Sequence, residues 1–301
     1  MLPAKVKAAL PQTLPIPTMP QARKRFGQHW LKSETALAQI VGAANLSSDD
    51  RLLEIGPGTG LLTRRLLPLV QALVAVEIDR DLCELLRKEF RQAEKLLLLQ
   101  GDFLSLDLPT LLAPFPQFQQ PRKVVANIPY NITGPILEKL LGTIAQPNPT
   151  PFQSIVLLIQ KEVAERLCAQ PSSKAFGALS VRVQYLAQCD WICAVPAKAF
   201  QPPPKVDSAV VRIVPRPIEP TASHPKQLDT LVKLGFATRR KMLRNNLQSV
   251  VDRNQLSDLL EQMDLNPQVR AEDLSVAHWV TLSNRLADGQ PRSAQQPEIV
   301  S

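Results

Sequence analysis

Leu53-Glu54-Ile55-Gly56-Pro57-Gly58-Thr59-Gly60 runs from a short apolar strand into three alternate glycines, and a helical pattern follows from Leu61. A strand that turns into a helix on glycines lets a ligand approach the backbone closely, with the amides of the helix N-terminus facing it. The spacing is G-x-G-x-G. A dinucleotide fingerprint needs its third glycine at position 61, where Leu61 stands, so NAD is disfavoured. By itself the stretch also fits a simple tight loop.

Outward from this turn, β-rich runs alternate with helical patterns from Arg51 to Val214, which predicts an α/β, doubly wound sheet with crossover helices. The predicted strands are Leu52–Ile55, Leu73–Ile78, Leu96–Gln100, Lys123–Ala126, Ile155–Ile159, Trp191–Val195 and Ala209–Val214. Helices are predicted over Leu61–Leu67, Asp81–Phe90, Pro135–Leu141, Lys161–Cys168 and Ala178–Leu186. The last two strands flank the Pro-rich Phe200–Lys205 loop and are close enough to pair as an antiparallel edge hairpin of a seven-stranded, mostly parallel sheet. Beyond Val214 come Pro215, Pro217, Pro220 and Pro225, then helical periodicity alone to about Leu286. The predicted organisation is a flexible tail (1–22), an α/β domain (23–214), a linker (215–225), a small all-α domain (226–287) and a second flexible tail (288–301).

Glu77 ends the second predicted strand, where a carboxylate can accept both ribose hydroxyls of a nucleoside, or simply be a solvated strand-end acid. Gly101-Asp102-Phe103 follows the third: Asp102 can accept an adenine amino hydrogen and Phe103 can flank the ring, although Gly-Asp is also a common turn. An adenosine site without a diphosphate site points to S-adenosylmethionine, for which the protein supplies binding and alignment.

Asn127-Ile128-Pro129-Tyr130 stands at the end of the fourth predicted strand. Ring amino groups are poor nucleophiles because the nitrogen lone pair is delocalised into the ring. The Asn127 side-chain oxygen and the Ile128 carbonyl can accept the two amino hydrogens, Pro129 stiffens the turn and Tyr130 can stack on the base. The competing reading is an Asx-Pro turn into a helix beginning near Thr133. Phe200, at the head of Phe200-Gln201-Pro202-Pro203-Pro204-Lys205-Val206-Asp207-Ser208, reads either as a ring facing the other side of a flipped-out base or as a core Phe under a turn.

The 301 residues carry a formal charge of +8 and a pI near 9.5, which favours a polyanionic partner. Basic residues concentrate in Arg23, Lys24 and Arg25 and in the acid-free stretch 231–247, where Arg240 and Arg244 share a face if the segment is helical. Cys83, Cys168, Cys189 and Cys193 are scattered without metal-ligand spacing and read as core thiols in a reducing compartment; no metal is expected. No apolar run reaches the length of a membrane span, and a soluble, cytoplasmic monomer is expected.

From Arg23 to Leu286 the chain resembles the small-subunit (16S) rRNA adenine N6,N6-dimethyltransferases, the bacterial kasugamycin-resistance methyltransferases. The resemblance is carried by Arg23-Lys24-Arg25-Phe26-Gly27-Gln28-His29-Trp30-Leu31, Asn127-Ile128-Pro129-Tyr130-Asn131-Ile132, Phe200-x-Pro202-x-Pro204-x-Val206-x-Ser208 and Phe236-x-x-Arg239-Arg240-Lys241-x-Leu243. It implies a Rossmann-like class I methyltransferase fold with a helical C-terminal domain. It places Gln28, His29, Leu31, Gly56, Glu77, Asp102 and Asn127 at S-adenosylmethionine, beside Gly58 and Phe103, which the reading of the residues themselves puts there. Arg23, Lys24, Arg25, Lys205, Arg239, Arg240, Lys241 and Arg244 are expected on RNA. The implied substrate is two adjacent adenosines in the 3′-terminal hairpin loop of 16S rRNA, each methylated twice. The family more often has Leu where Ile128 stands, and Asn where His29 stands. The rivals are a 23S rRNA adenine methyltransferase of the macrolide-resistance type, against which Arg239-Arg240-Lys241 argues, a DNA adenine methyltransferase, and a non-catalytic ribosome assembly factor.

Overall fold

The computed structural model describes residues 28–217 and 219–288. The predicted tails and the Arg23–Arg25 cluster therefore lie outside the described residues or, at Asp288, at their very edge.

Strand β1 (Trp30–Leu31) leads into helix α1 (Glu34–Ala44), whose first turn is capped by the Ser33 hydroxyl accepting from the Ala36 amide. The α/β succession that follows is β2 (Arg51–Ile55), α2 (Thr63–Leu66), β3 (Ala72–Glu77), α3 (Arg80–Glu89), β4 (Leu96–Gln100), α4 (Leu108–Leu112), β5 (Lys123–Asn127), α5 (Thr133–Leu141), β6 (Ser154–Gln160), α6 (Lys161–Leu167) and α7 (Ala178–Leu186). It closes with β7 (Ala187–Val195), β8 (Phe200–Gln201) and β9 (Ser208–Pro215). The seven-stranded sheet has the order β4-β3-β2-β5-β6-β9-β7, with β9 antiparallel to both neighbours. The edge hairpin forms as the spacing predicts.

Side-chain alternation divides the sheet's two faces. Leu53, Ile55, Val74, Val76, Val124, Ala126, Ile155 and Leu157 belong to one core, while Leu52, Leu73, Val125, Val156 and Leu158 belong to the other. Helix α1 covers the second face with Leu37, Ile40 and Ala44. Each large aliphatic side chain among them contributes about 1.5–3 kcal/mol on burial. The first core continues without a break into the C-terminal helices α8 (Pro225–Gly235), α9 (Leu243–Asn246), α10 (Arg253–Glu261) and α11 (Val276–Asp288), through Leu228, Leu243, Leu256 and Trp279.

Two elements depart from the expected pattern. The antiparallel pair β1–β8, with Leu31 opposite Phe200, brings the segment before α1 against the Pro-rich loop, and strands of two residues carry no periodicity to detect. In the basic stretch, α8 stops at Gly235 and residues 236–242 form a loop, so Arg240 and Arg244 do not share a helix face. The loop is held by Asn246 Nδ2, which donates to Gly235 O and, at 3.0 Å, to Thr238 O, and by the Leu243 amide donating to Val269 O. Leu243 and Leu247 nevertheless pack inward as their apolar character predicts.

Candidate active site

The chain runs outward from β2 through β3 to β4, then returns to the other side of β2 with β5. The strand order therefore reverses between β2 and β5, and ligands of open α/β sheets bind in the crevice beyond the carboxyl ends at such a point. Glu54–Gly60 leaves β2 there, Asn127 ends β5 beside it, and Glu77 ends β3. Gly56, Gly58 and Gly60 all have positive φ, a backbone shape that L side chains resist. A Cβ on Gly58 would stand 2.8 Å from the Trp30 ring, so the turn and the β1 segment meet only because that atom is missing.

One pocket is lined by Gln28, His29, Leu31, Gly56, Gly58, Glu77, Asp102, Phe103, Asn127, Ile128, Pro129 and Tyr130. Residues as distant in the chain as Gln28 and Tyr130 thus converge as the sequence predicts, with one exception. Phe200 is 1% exposed, buried in the second core with Leu31, Val195 and Val210, and it does not line this pocket. Pairing with β1 fixes the alternation of β8 so that Phe200 points inward and Gln201 outward; it is the core Phe of the two readings.

A hydrogen-bond chain braces the glycine turn. Glu77 Oε2 accepts from the Gly58 amide at 3.0 Å and Oε1 from the Asp79 amide at 2.9 Å. Asp79 caps α3 by accepting from the Asp81 amide, and its other oxygen accepts from Gln28 Nε2 at 3.1 Å, fastening the N-terminal segment over the pocket. Burial pushes the Glu77 carboxyl above its ordinary value, against these amide donors. Asp102 accepts from the Leu104 amide at 3.0 Å, so it shapes its own turn while lining the pocket. Lys139 Nζ donates to Leu104 O and Leu106 O at 3.0 and 2.7 Å and lies 5.1 Å from the Phe103 ring centroid, holding that loop from below. Burial lowers its pKa. The contribution of Lys139 depends on a contact 35 residues away and has no local signal.

Glu54 is a pocket residue that the sequence pattern alone does not single out. It is fully buried, Oε2 accepts from Thr63 Oγ1 at 2.8 Å, and Oε1 has no partner among the described residues. Burial first, and the charge of Glu77 besides, push its carboxyl up to about 8, against the lowering effect of Thr63. An acid placed directly before a glycine turn is the signal that could have found it.

At the pocket's other end, Asn127 Nδ2 donates to His29 O at 3.5 Å. With the donor end of the amide turned to the backbone, Oδ1 is the end left to accept. Tyr130 Oη lies 2.7 Å from Ser208 Oγ, and its ring faces the His29 imidazole with centroids 6.0 Å apart and planes 19° from parallel. Burial raises the phenol's pKa, so it stays protonated. Thr133 opens α5 without capping it; its hydroxyl donates instead to Tyr130 O.

The basic residues divide. Lys205, Arg239, Arg240 and Lys241 are exposed and Arg244 is half-buried. Arg239 is ion-paired to Glu272 at 2.9 Å and also donates to Lys174 O, and Arg244 has its Nε buried. Arg239 thus stays exposed while tied to Glu272 and Lys174, whereas Arg244, in α9, is half-buried.

A protein-family model described as ribosomal RNA adenine dimethylase matches residues 19–288. The chain belongs to that family. Its curated relatives include the ribosomal RNA small subunit methyltransferase A of Nostoc punctiforme, 68% identical over 275 residues that cover 89% of this chain and 96% of the relative. The protein of the same name from Trichormus variabilis is 70% identical over 268 residues, covering 89% and 99%. Among solved structures, a dimethyladenosine transferase from Plasmodium falciparum superposes with TM-score 0.73 at 27% identity, covering 86% of this chain and 98% of that one. The 23S rRNA methyltransferase ErmE follows with TM-score 0.68 at 25% identity, covering 86% and 99%.

As a member of this adenine dimethylase family, the chain is an S-adenosylmethionine-dependent methyltransferase of ribosomal RNA. The pocket fits that cofactor. The backbone of the glycine turn lines the pocket, Glu54 Oε1 is a buried carboxyl oxygen without a partner among the described residues whose acid can ionise beside a ligand that carries positive charge, and Leu61 stands where a diphosphate cradle has its third glycine. When bound, S-adenosylmethionine supplies a methyl group activated by its sulfonium.

Proposed function

We propose that this chain methylates N6 of two adjacent adenosines in the 3′-terminal hairpin loop of 16S rRNA, twice each, during small-subunit assembly, acting as a cytoplasmic monomer. The observation that carries this reading is the Asn127 amide, tied by its nitrogen to His29 O at the end of β5, beside the glycine turn. In this reading Asn127 Oδ1 and the Ile128 carbonyl accept the two N6 hydrogens, drawing the nitrogen lone pair out of conjugation, and Tyr130 stacks on the base. When bound, S-adenosylmethionine would supply the methyl carbon to N6, and its carbon–sulfur bond would break with the electron pair kept by sulfur. A proton leaves N6 to water as the new bond forms, so no strong base is needed beforehand, and alignment carries most of the rate.

The cofactor in this reading lies against Gln28, His29, Leu31, Gly56, Gly58, Glu77, Asp102 and Phe103, with Glu54 added. Lys205, Arg239, Arg240 and Lys241, with Arg23, Lys24 and Arg25, meet RNA phosphates. The catalytic part spans 23–214 and the helical RNA-contacting part 226–287, joined by 215–225. High identity to proteins named small-subunit methyltransferase A supports the 16S substrate over the 23S one.

The test is incubation with labelled S-adenosylmethionine and, in parallel, under-methylated small ribosomal subunits or large-subunit RNA, followed by digestion and mass spectrometry of the RNA. Dimethyladenosine at two adjacent positions of the 3′-terminal helix is expected. Label confined to large-subunit RNA would transfer the chain to the ErmE-like activity, and tight subunit binding without transfer would leave an assembly factor.

A further inference from the structure

We infer that Ser208 is a positioning residue for methyl transfer, anchoring the phenol of Tyr130 so that its ring presents a fixed plane to the target base. This rests on the stacking role given to Tyr130 above.

Ser208 is the first residue of β9, the strand held on both sides within the sheet: it pairs with Gln160 of β6 and with Val195 of β7. Its side chain is fully buried, and the next three residues, Ala209, Val210 and Val211, are buried and apolar. A hydroxyl in such a position is destabilising unless it is hydrogen-bonded. Here it meets Tyr130 Oη at 2.7 Å. The anchor is therefore a group whose backbone is locked by two ladders, and it grips the one atom of the tyrosine farthest from its own backbone.

That atom has no part in stacking. The face of a phenyl ring serves a base as well as the face of a phenol, so the hydroxyl at position 130 calls for a separate purpose, and the bond to Ser208 provides it. With Oη pinned, the ring cannot swing about its side-chain torsions, while Thr133 Oγ1 donating to Tyr130 O steadies the backbone turn behind it. The ring's face is set nearly parallel to His29, which is itself held by a 2.8 Å contact between Nδ1 and Pro202 O. A catalytic amine must sit within a few tenths of an ångström of its acceptors, and a wall that tilts would spoil that alignment.

The same bond shows what the Pro-rich motif contributes to the site. Phe200, at its head, is sealed in the core, whereas Ser208, at its end, reaches the residue that closes Asn127–Tyr130. Two motifs 78 positions apart are thus joined by one contact.

The test is a double-mutant cycle on the full chain: Ser208→Ala, Tyr130→Phe and the pair, with Tyr130→Ala alongside. For each protein, kcat and KM on under-methylated small subunits, S-adenosylmethionine affinity by calorimetry and the unfolding temperature are measured. Either single change is expected to lower kcat about tenfold, and the double by about the same factor rather than a hundredfold, because both remove one bond. Cofactor affinity should stay within about twofold, which a loss of folding would not allow. Ser208→Ala with parental kcat, beside an inactive Tyr130→Ala, would overturn the role of Ser208 while leaving that of Tyr130 standing. Multiplicative losses in the double variant, or losses that track cofactor affinity and unfolding temperature, would also overturn it. An active Tyr130→Ala would remove the stacking role and this inference together.

Discussion

Replacing Gly58 with Ala tests how the cofactor turn and the N-terminal segment are fitted together. The residue has φ +60°, and an added Cβ would lie 2.8 Å from Trp30 Cζ3 and 3.2 Å from Cε3, inside van der Waals contact. The left-handed backbone costs a non-glycine residue about 1–2 kcal/mol. Displacing a buried indole held by the β1–β8 pair costs about 1–3 kcal/mol more. The sum, about 2–5 kcal/mol, is a large share of the roughly 5–15 kcal/mol that stabilises a folded domain. At about 2–4 °C per kcal/mol, the unfolding temperature should fall by about 4–20 °C. Cofactor affinity should fall at least tenfold, because the Gly58 amide braces Glu77 and both Gly58 and Trp30 line the pocket. Thermal unfolding followed by circular dichroism and titration calorimetry with S-adenosylmethionine read the two effects. Gly42→Ala is the control. It lies within α1 with no atom within 4 Å of an added Cβ, and should stabilise by about 0.5–1 kcal/mol. A Gly58→Ala protein that melts within about 2 °C of the parent and binds the cofactor equally well would refute the close-fit account.

Asn127→Ala should lower kcat by about 10²–10³-fold with little loss of RNA binding, and activity surviving within about tenfold would remove the amide from catalysis. Glu54→Gln tests the buried carboxyl: a folded-state value of about 8 against an ordinary 4.5 means that the folded chain keeps a proton which the unfolded chain releases. Stability from this group is full below the ordinary value and is lost as pH rises toward 8, so the parent's stability should decline across that window and the variant's decline should be shallower. An unchanged slope would place the titration elsewhere. By the same linkage, the positively charged cofactor should bind the parent more tightly as pH rises toward 8, and Glu54→Gln should flatten that dependence in calorimetry. Arg240→Ala with Lys241→Ala should weaken rRNA binding most at low salt and reduce the salt slope by about one to two. An unaltered slope in filter binding would take the 236–242 loop out of the RNA footprint.

The strands are legible because each is a short apolar run bounded by breakers, and their face assignment follows from a period of two. Ile78 marks the margin of that method: it extends the apolar run of β3 yet stands 46% exposed, since the strand ends where Glu77 turns into the pocket. The cofactor turn is legible because glycine is the residue that accepts positive φ, and three in alternation between a strand and a helix mark a backbone bent to admit a ligand. Asn127–Tyr130 is legible as a local unit at a strand end, although the partners of its side chains, His29 O and Ser208, lie far along the chain. Arg240 and Arg244 mislead for the opposite reason. The intervening residues have helical periodicity, but Asn246 ties back to Gly235 and Thr238 and closes a loop there instead.

By itself, then, the sequence determined the sheet, the glycine turn, the Asn127–Tyr130 turn at the end of the fourth predicted strand and the family, all of them readable within windows of a few residues. The tertiary structure alone decided that Phe200 faces the core, that Glu54 keeps an oxygen at the pocket without a partner among the described residues, that Lys139 supports the Asp102–Phe103 loop and that Ser208 holds Tyr130. Each of those outcomes depends on which distant strand or loop lies alongside. A side chain's face, burial and partners are set by that pairing, and no local pattern encodes it.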